Sequence, residues 1–241
     1  MLNIDINTFE EYNFLKTKAS KNELYDIIKI GIGLNMPQET ISYSQFLYYK
    51  FLNKNITKKN ISFISSCFLL SSKITGTFKN LKEIIEITKN YYSTRENKNN
   101  DNNFDIDESD VHNDENSVNV LEDAQDTELE MCIQIDFDFT YNNFYQYLKK
   151  KCNKFKFDMK RQQCAWILLN DSFYLPFSLF FSVKNIVLAC IYITLKIDEL
   201  EKFLNDDIKD RSFKSECDII LADMEIRFIV EEIIGLYENS F

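Results

Sequence analysis

Apolar residues recur at three- and four-residue spacing in a series of segments, each of a length that suits a helix. The first runs from Asn22 to Met36, with Leu24, Ile27, Ile28, Ile30, Ile32 and Leu34. Pro37 follows, well placed in the first turn of a second helix that extends to about Leu52, with Ile41, Phe46, Leu47 and Phe51 as inward candidates. Asn60–Ile74 (NISFISSCFLLSSKI) is apolar on nearly every face and interleaved with serines, the pattern of a helix surrounded by others. Phe78–Tyr92 and Glu122–Ile135 complete a set of five. The second half repeats the plan, with helical candidates at Phe144–Lys151, Asp158–Leu175, Val183–Ile197, Leu200–Leu204 and Ser215–Asn239.

Two stretches stand outside this pattern. Met1–Phe9 alternates polar and apolar residues, and residues 1–20 read as an N-terminal extension. Residues 94–120 are polar and acidic with few apolar anchors, so burial cannot offset the chain entropy lost on ordering, and they read as a disordered insert. The domain plan is therefore an extension over 1–20, a first helical unit over 21–140 that carries the insert, and a second over 141–241.

Composition sharpens the fold class. Only four glycines and two prolines occur in 241 residues, which leaves few tight turns and favours long helices with few connections. The expected class is all-α. Net charge is −10, but residues 94–127 hold eleven acids against two basic residues, Arg95 and Lys98. The remainder is close to neutral and lacks the basic stripe of a nucleic-acid binder. No apolar run approaches the roughly 18 residues of a membrane span; Ile186–Leu195 comes nearest. The six cysteines are scattered without a CxxC pair, as expected of reduced, mostly buried thiols.

The two halves compare directly. An offset of 123 places Cys67 on Cys190, Lys73 on Lys196, Ile74 on Ile197 and Leu70 on Ile193. Small, apolar and basic positions coincide across a helix–loop–helix, the signature of a structural duplication.

Specific runs then resemble the cyclin family. Gly31–Gln38 (GIGLNMPQ) resembles the first-helix ending of transcription-type cyclins, and Cys67–Ile74 (CFLLSSKI) resembles the cyclin-box signature that closes on Ala-Ser-Lys. Glu128–Phe137 (ELEMCIQIDF) is similar to the fifth-helix pattern of a Glu followed nine residues later by Phe. Ala165–Ser172 (AWILLNDS) and Leu188–Leu195 (LACIYITL) are similar to second-box runs of K-, L- and T-type cyclins. The extended connection before the fifth helix brings the L-type nearest. The resemblance covers roughly residues 20–92 and 121–239, and implies tandem five-helix cyclin folds.

It also implies a function. Such a chain carries no catalytic group; it is the activating subunit of a cyclin-dependent serine/threonine protein kinase, in a heterodimer. The type points to RNA polymerase II transcription or mRNA processing, and to the nucleus, with the cytoplasm as a second location. Lys73 and Glu128 match positions that pair in cyclins and reach the kinase backbone, while Leu70 and Phe137 match apolar positions on the kinase-facing side. Lys73 also ends a helix, where a cation suits the negative end of the dipole. The plainer alternatives are a solvated charge at a helix end and ordinary core, and Glu130 rivals Glu128 for the pairing. Trp166 is expected to fill the second core, with Asn170-Asp171-Ser172 ending its helix. One departure stands out: Ile74-Thr75-Gly76 follows Lys73 where cyclins usually place two acidic residues.

Other chemistry lacks its residues. His112 is the only histidine, so no histidine-based triad or histidine-rich metal site is expected. Asp105, Asp107 and Asp110 lack the Gly and terminal Glu of a calcium loop. No cofactor, small-molecule ligand, nucleic acid or membrane partner is expected. Two rivals remain: a cyclin-fold scaffold that binds proteins without activating a kinase, and a DNA-binding factor of the general-transcription type, which the near-neutral body disfavours.

Overall fold

A computed structural model describes residues 6–19, 21–52, 61–100, 114–139, 143–204 and 223–238. These form eleven helices and no strand among the described residues. The helices are α1 (Ile6–Lys18), α2 (Lys21–Gly33), α3 (Gln38–Leu52), α4 (Ile61–Ile74), α5 (Leu81–Asn100) and α6 (Asp114–Gln134). They continue as α7 (Phe144–Lys154), α8 (Met159–Ser172), α9 (Phe177–Phe180), α10 (Val183–Leu204) and α11 (Met224–Glu238). The expectation of an all-α chain holds.

The chain divides into two compact units, Ala19–Tyr141 and Met1–Lys18 together with Asn142–Phe241. At the centre of the first unit is α4, packed on α3, α5 and α6. Its serines explain how three neighbours approach one helix. Ser66 Oγ lies 2.7 Å from the Ala124 carbonyl of α6, and Ser44 and Ser71 join α3 to α4 at 2.6 Å. Each small side chain fits where a larger one would hold the helices apart, and the hydroxyls of Ser66, Ser71 and Ser72 are satisfied locally, while that of Ser65 is buried without a partner among the described residues. Cys67, Phe68 and Leu70 of α4 are fully buried among them.

In the second unit α10 takes the central place, packed on α7, α8, α9 and α11. Its run Ile186–Ile191 is buried residue after residue. The offset of 123 carries α3 onto residues 161–175 and α4 onto 184–197, where α8 and α10 are found, and the pair packs together in both units.

Four helix ends share one closure, in which a residue in the left-handed region lets two amides turn back onto open carbonyls. Asn35 does this for α2, Gly76 for α4, Asp136 for α6 and Lys156 for α7. At α4, Thr77 N donates to the Ser72 carbonyl at 2.8 Å. Glycine serves there because a Cβ would be strained at φ 73°.

Several expectations need correction. Within the expected extension over 1–20, α1 starts at Ile6 and groups with the second unit. Tyr12 is buried against Phe177, Phe181 and Phe228, and its hydroxyl donates to Glu232 at 2.6 Å. The edges of the acidic insert are helical, since α5 runs on to Asn100 and α6 begins at Asp114; residues 101–113, with His112 and the three aspartates, lie outside the described residues. Leu200–Leu204 continues α10 without a break, and of the last candidate only 224–238 is helix within the described residues.

Candidate functional site

Lys73 sits in the last turn of α4, and Glu128 lies on the part of α6 that crosses it. The Lys73 Nζ donates to both carboxylate oxygens of Glu128, at 2.6 and 2.8 Å. The two partners differ in environment: the Lys73 side chain is 49% exposed and that of Glu128 14%. The carboxylate is thus held within the protein surface and the ammonium faces out from it. Glu130 does not compete; it is exposed and accepts from Gln134.

The other two expected positions separate. Leu70 is 2% exposed and lies in the core of the first unit. Phe137 is 56% exposed, just past the end of α6, edge-to-face with Phe139 at 6.2 Å. Its φ of 54° follows a φ of 51° at Asp136. A bulky residue in the left-handed region carries a conformational cost of about 1–2 kcal/mol. The turn leaves its aromatic ring in solvent.

Sequence reasoning missed two residues. Leu129 and Ile133 are exposed and stand eight and four residues before Phe137, one turn apart on α6. Buried Ala124, Thr127 and Met131 form the opposite stripe of the same helix, continued by Ile135 just past its end. A surface helix needs one apolar stripe, and α6 has two, which was the available signal. Phe78, two residues past Gly76, is exposed as well.

Beyond Lys73, the chain turns at Gly76 and gathers hydroxyls instead of acids. Thr40 Oγ1 lies 2.9 Å from Thr75 Oγ1 and 2.8 Å from Thr77 Oγ1, tying the start of α3 to the end of α4. Nearby, burial and the Asp138 charge push the Tyr43 hydroxyl up to about 12. Cys132 on α6 is half-buried, its thiol raised by burial and then by the Glu128 charge.

In the second unit, Trp166 is 42% exposed and does not fill the core. Its neighbour Ala165 takes the inward position with Leu168, Leu169 and Ser172, which turns the indole outward against Tyr145 at 4.5 Å. Asn170 and Asp171 likewise do not cap their helix. They accept from Tyr145 of α7 and Tyr237 of α11 and so tie three helices together; only Ser172 bonds back, to Leu169.

No group of three or more metal-ligating side chains occurs among the described residues. Nor is any described helix long and apolar enough to cross a membrane.

The chain superposes on a chain of the solved yeast RNA Pol II CTD kinase CTDK-1 complex with a TM-score of 0.68, over 99% of this chain and 73% of that one. The fold is cyclin-like. At 18% identity the likeness concerns fold alone. No family model and no curated protein matches the sequence. Within this cyclin-like frame, the Lys73–Glu128 pair and the exposed row of α6 share one helix pair of the first unit.

Proposed function

We propose that the chain is the non-catalytic, activating subunit of a cyclin-dependent serine/threonine protein kinase, built as two cyclin boxes of the transcription type, nearest the L-type. It would act in RNA polymerase II transcription or mRNA processing, in the nucleus. The observation that carries this reading is the closed pair between Lys73 of α4 and Glu128 of α6, beside exposed Leu129 and Ile133 of α6 and Phe137 just past its end. The likeness to a chain of a CTD kinase complex supports it.

The mechanism needs no reacting group on this chain. In a protein kinase a Glu on a mobile helix must pair with the nucleotide-binding Lys before phosphoryl transfer proceeds. A surface that binds the inward position of that helix better than the outward one shifts the population. Moving it from 1:99 to 99:1 takes about 5.5 kcal/mol of differential binding. The apolar row on α6 supplies buried area, and the lysine, oriented by Glu128, supplies donors for backbone carbonyls at the end of the kinase helix.

The test is purification of the tagged chain, identification of its partners and assay of their activity. A stoichiometric kinase, active with the wild type and inactive with Lys73→Glu, is the expected result. A folded chain that repeatedly yields no kinase would sink the proposal. The run Ile74-Thr75-Gly76 after Lys73, where cyclins usually carry two acids, favours a second reading, a scaffold that binds a protein without activating it. That reading predicts a partner whose phosphorylation activity is unchanged on binding.

A further inference from the structure

The second unit carries a strongly basic face on α7, whereas Lys73 and Glu128 belong to the first unit. Residues 139–161 hold seven of the 28 basic residues of the chain and one of its 38 acids. Five of the seven, Lys149, Lys150, Lys151, Lys154 and Lys156, fall within eight residues, and no acid occurs between Asp138 and Asp158.

The fold leaves these charges uncompensated. α7 turns Phe144, Tyr145, Leu148 and Cys152 inward. Lys150 and Lys154 stand one turn apart on the opposite side, both exposed, with Lys151 beside them and exposed Lys149 on the other flank. Lys156, also exposed, follows in the turn that closes the helix. None of the five is ion-paired with a carboxylate among the described residues. Lys151 Nζ lies 5.2 Å from the centre of the Tyr147 ring, a contact that orients the ammonium without neutralising it. Asp158 accepts from the Arg161 amide at 2.9 Å and caps α8, and the Arg161 guanidinium pairs with Asp198 at 2.8 Å, so the patch is the five lysines. The negative end of the helix dipole accounts for Lys151 and Lys154, which stand in the last turn. It does not account for Lys149 and Lys150, and at four-residue spacing Lys150 and Lys154 repel. An anionic partner turns that repulsion into attraction.

The surroundings of the patch select the anion. A membrane-binding helix presents an apolar face beside its cations, and the apolar face of α7 is buried in the unit. A nucleic-acid duplex extends well past a helix about 16 Å long. Beyond the patch, residues 162–241 hold fourteen acids against seven basic residues, which oppose a long polyanion. A phosphorylated segment is gripped best by the planar fork of arginine, and the patch contains only lysines, compact point charges without that geometry. A short run of carboxylates matches both the extent of the face and the character of its cations. We infer that the Lys149–Lys156 face is a docking site for an aspartate- and glutamate-rich segment of a partner protein.

The probe is a fluorescein-labelled oligoglutamate peptide, titrated by fluorescence anisotropy against the full chain, with an oligoglutamine peptide and a duplex DNA as comparators. The oligoglutamate is expected to bind, about tenfold or more tightly than the oligoglutamine, and to weaken about tenfold between about 50 and about 300 mM salt. Lys150→Gln combined with Lys154→Gln, both at exposed positions, is expected to weaken it about tenfold with helical circular dichroism unchanged. Lys82→Gln combined with Lys184→Gln removes the same two charges from exposed positions elsewhere and is expected to change it less than about twofold. No binding of the oligoglutamate, or an equal loss in the two double variants, would overturn the proposal. So would duplex DNA bound more tightly than the peptide and lost in the first variant, which would make the face a nucleic-acid surface. Sedimentation showing a dimer that the first variant disperses would overturn it as well, since the acids of a second copy would then cover the face.

Discussion

Removing each partner of the Lys73–Glu128 pair in turn has unequal consequences, and the inequality follows from burial. Glu128 is largely within the surface and Lys73 is half in solvent. When Lys73→Ala deletes the cation, a carboxylate with little access to water loses two donors, at a cost of about 1–2 kcal/mol. When Glu128→Ala deletes the anion, the lysine turns to solvent and the cost is about 0.5–1 kcal/mol, near that of an exposed pair. A double-mutant cycle should return a coupling of about 1 kcal/mol, set between exposed and buried pairs because one partner is wet. The swap Lys73→Glu with Glu128→Lys restores opposite charges. It also sets an anion at the negative end of the α4 dipole, which withholds about 0.3–1 kcal/mol of the recovery. Urea unfolding followed by circular dichroism measures these differences. Kinase activation measured on the same proteins then separates two roles. A pair that only staples α4 to α6 loses activation in step with the folded fraction, and the swap restores both. A pair that meets the kinase loses activation in proteins that remain folded, and the swap restores stability alone. A coupling below about 0.3 kcal/mol, or a greater loss from Glu128→Ala than from Lys73→Ala, would refute the reasoning.

Two further predictions concern stability. In Gly31→Ala the new Cβ would meet Ile41 Cγ1 at 2.6 Å and Cδ1 at 2.9 Å, with Phe68 Cε1 at 3.2 Å. Overpacking of about 1–3 kcal/mol then exceeds the gain of about 1 kcal/mol in helix propensity, and the variant should be less stable. Gly235→Ala meets nothing within 4 Å and should gain about 0.5–1 kcal/mol, read from the fluorescence of Trp166 in the same unit; matching signs for the two variants would contradict the packing. In alkali, burial, and then Asp138, push Tyr43 up to about 12, while burial and its bond to Asp26 bring Tyr91 to about 12. Raised folded values mean that stability is intact below the ordinary value of 10.0 and is lost as pH climbs through about 12. A phenolate absorbance titration should therefore show late-ionising tyrosines that titrate together with unfolding, and all thirteen ionising near 10.0 in a still-helical chain would contradict this.

The helices of the two units were legible because their apolar residues recur with the helical period and few glycines or prolines interrupt them. Lys73 and Glu128 could be paired before any coordinates because each lies at a fixed place in a recurrent run. What failed depended on facing. Leu70 and Trp166 both lie in motifs, but a rotation of about 100° per residue decides whether a side chain points inward, and sequence does not print that phase. The charge of residues 94–120 argued for disorder, yet helices already anchored by packing extend into its edges at both ends. The first helix escaped notice for the opposite reason. Its core contribution rests largely on Tyr12 and Leu15, too few for periodicity to register, and aromatic partners more than 160 residues away hold it.

The threonines after Lys73 bear on what kind of surface this is. Gly76 closes α4 through its own backbone, and Thr40, Thr75 and Thr77 satisfy one another. That end of the helix therefore needs no side-chain charge to be stable, and the sequence Thr75-Gly76-Thr77 brings none to a partner. On the proposed reading, recognition there would fall to Lys73, fixed by Glu128, and to the apolar row Leu129, Ile133 and Phe137. Coulombic attraction between exposed charges fades over about 10 Å in ordinary salt, whereas apolar burial does not. A kinase bound as proposed would consequently be held by area more than by charge, with Lys73 contributing direction. Phe137, with its backbone in the left-handed region and its ring in solvent, would add to that area on the proposed reading.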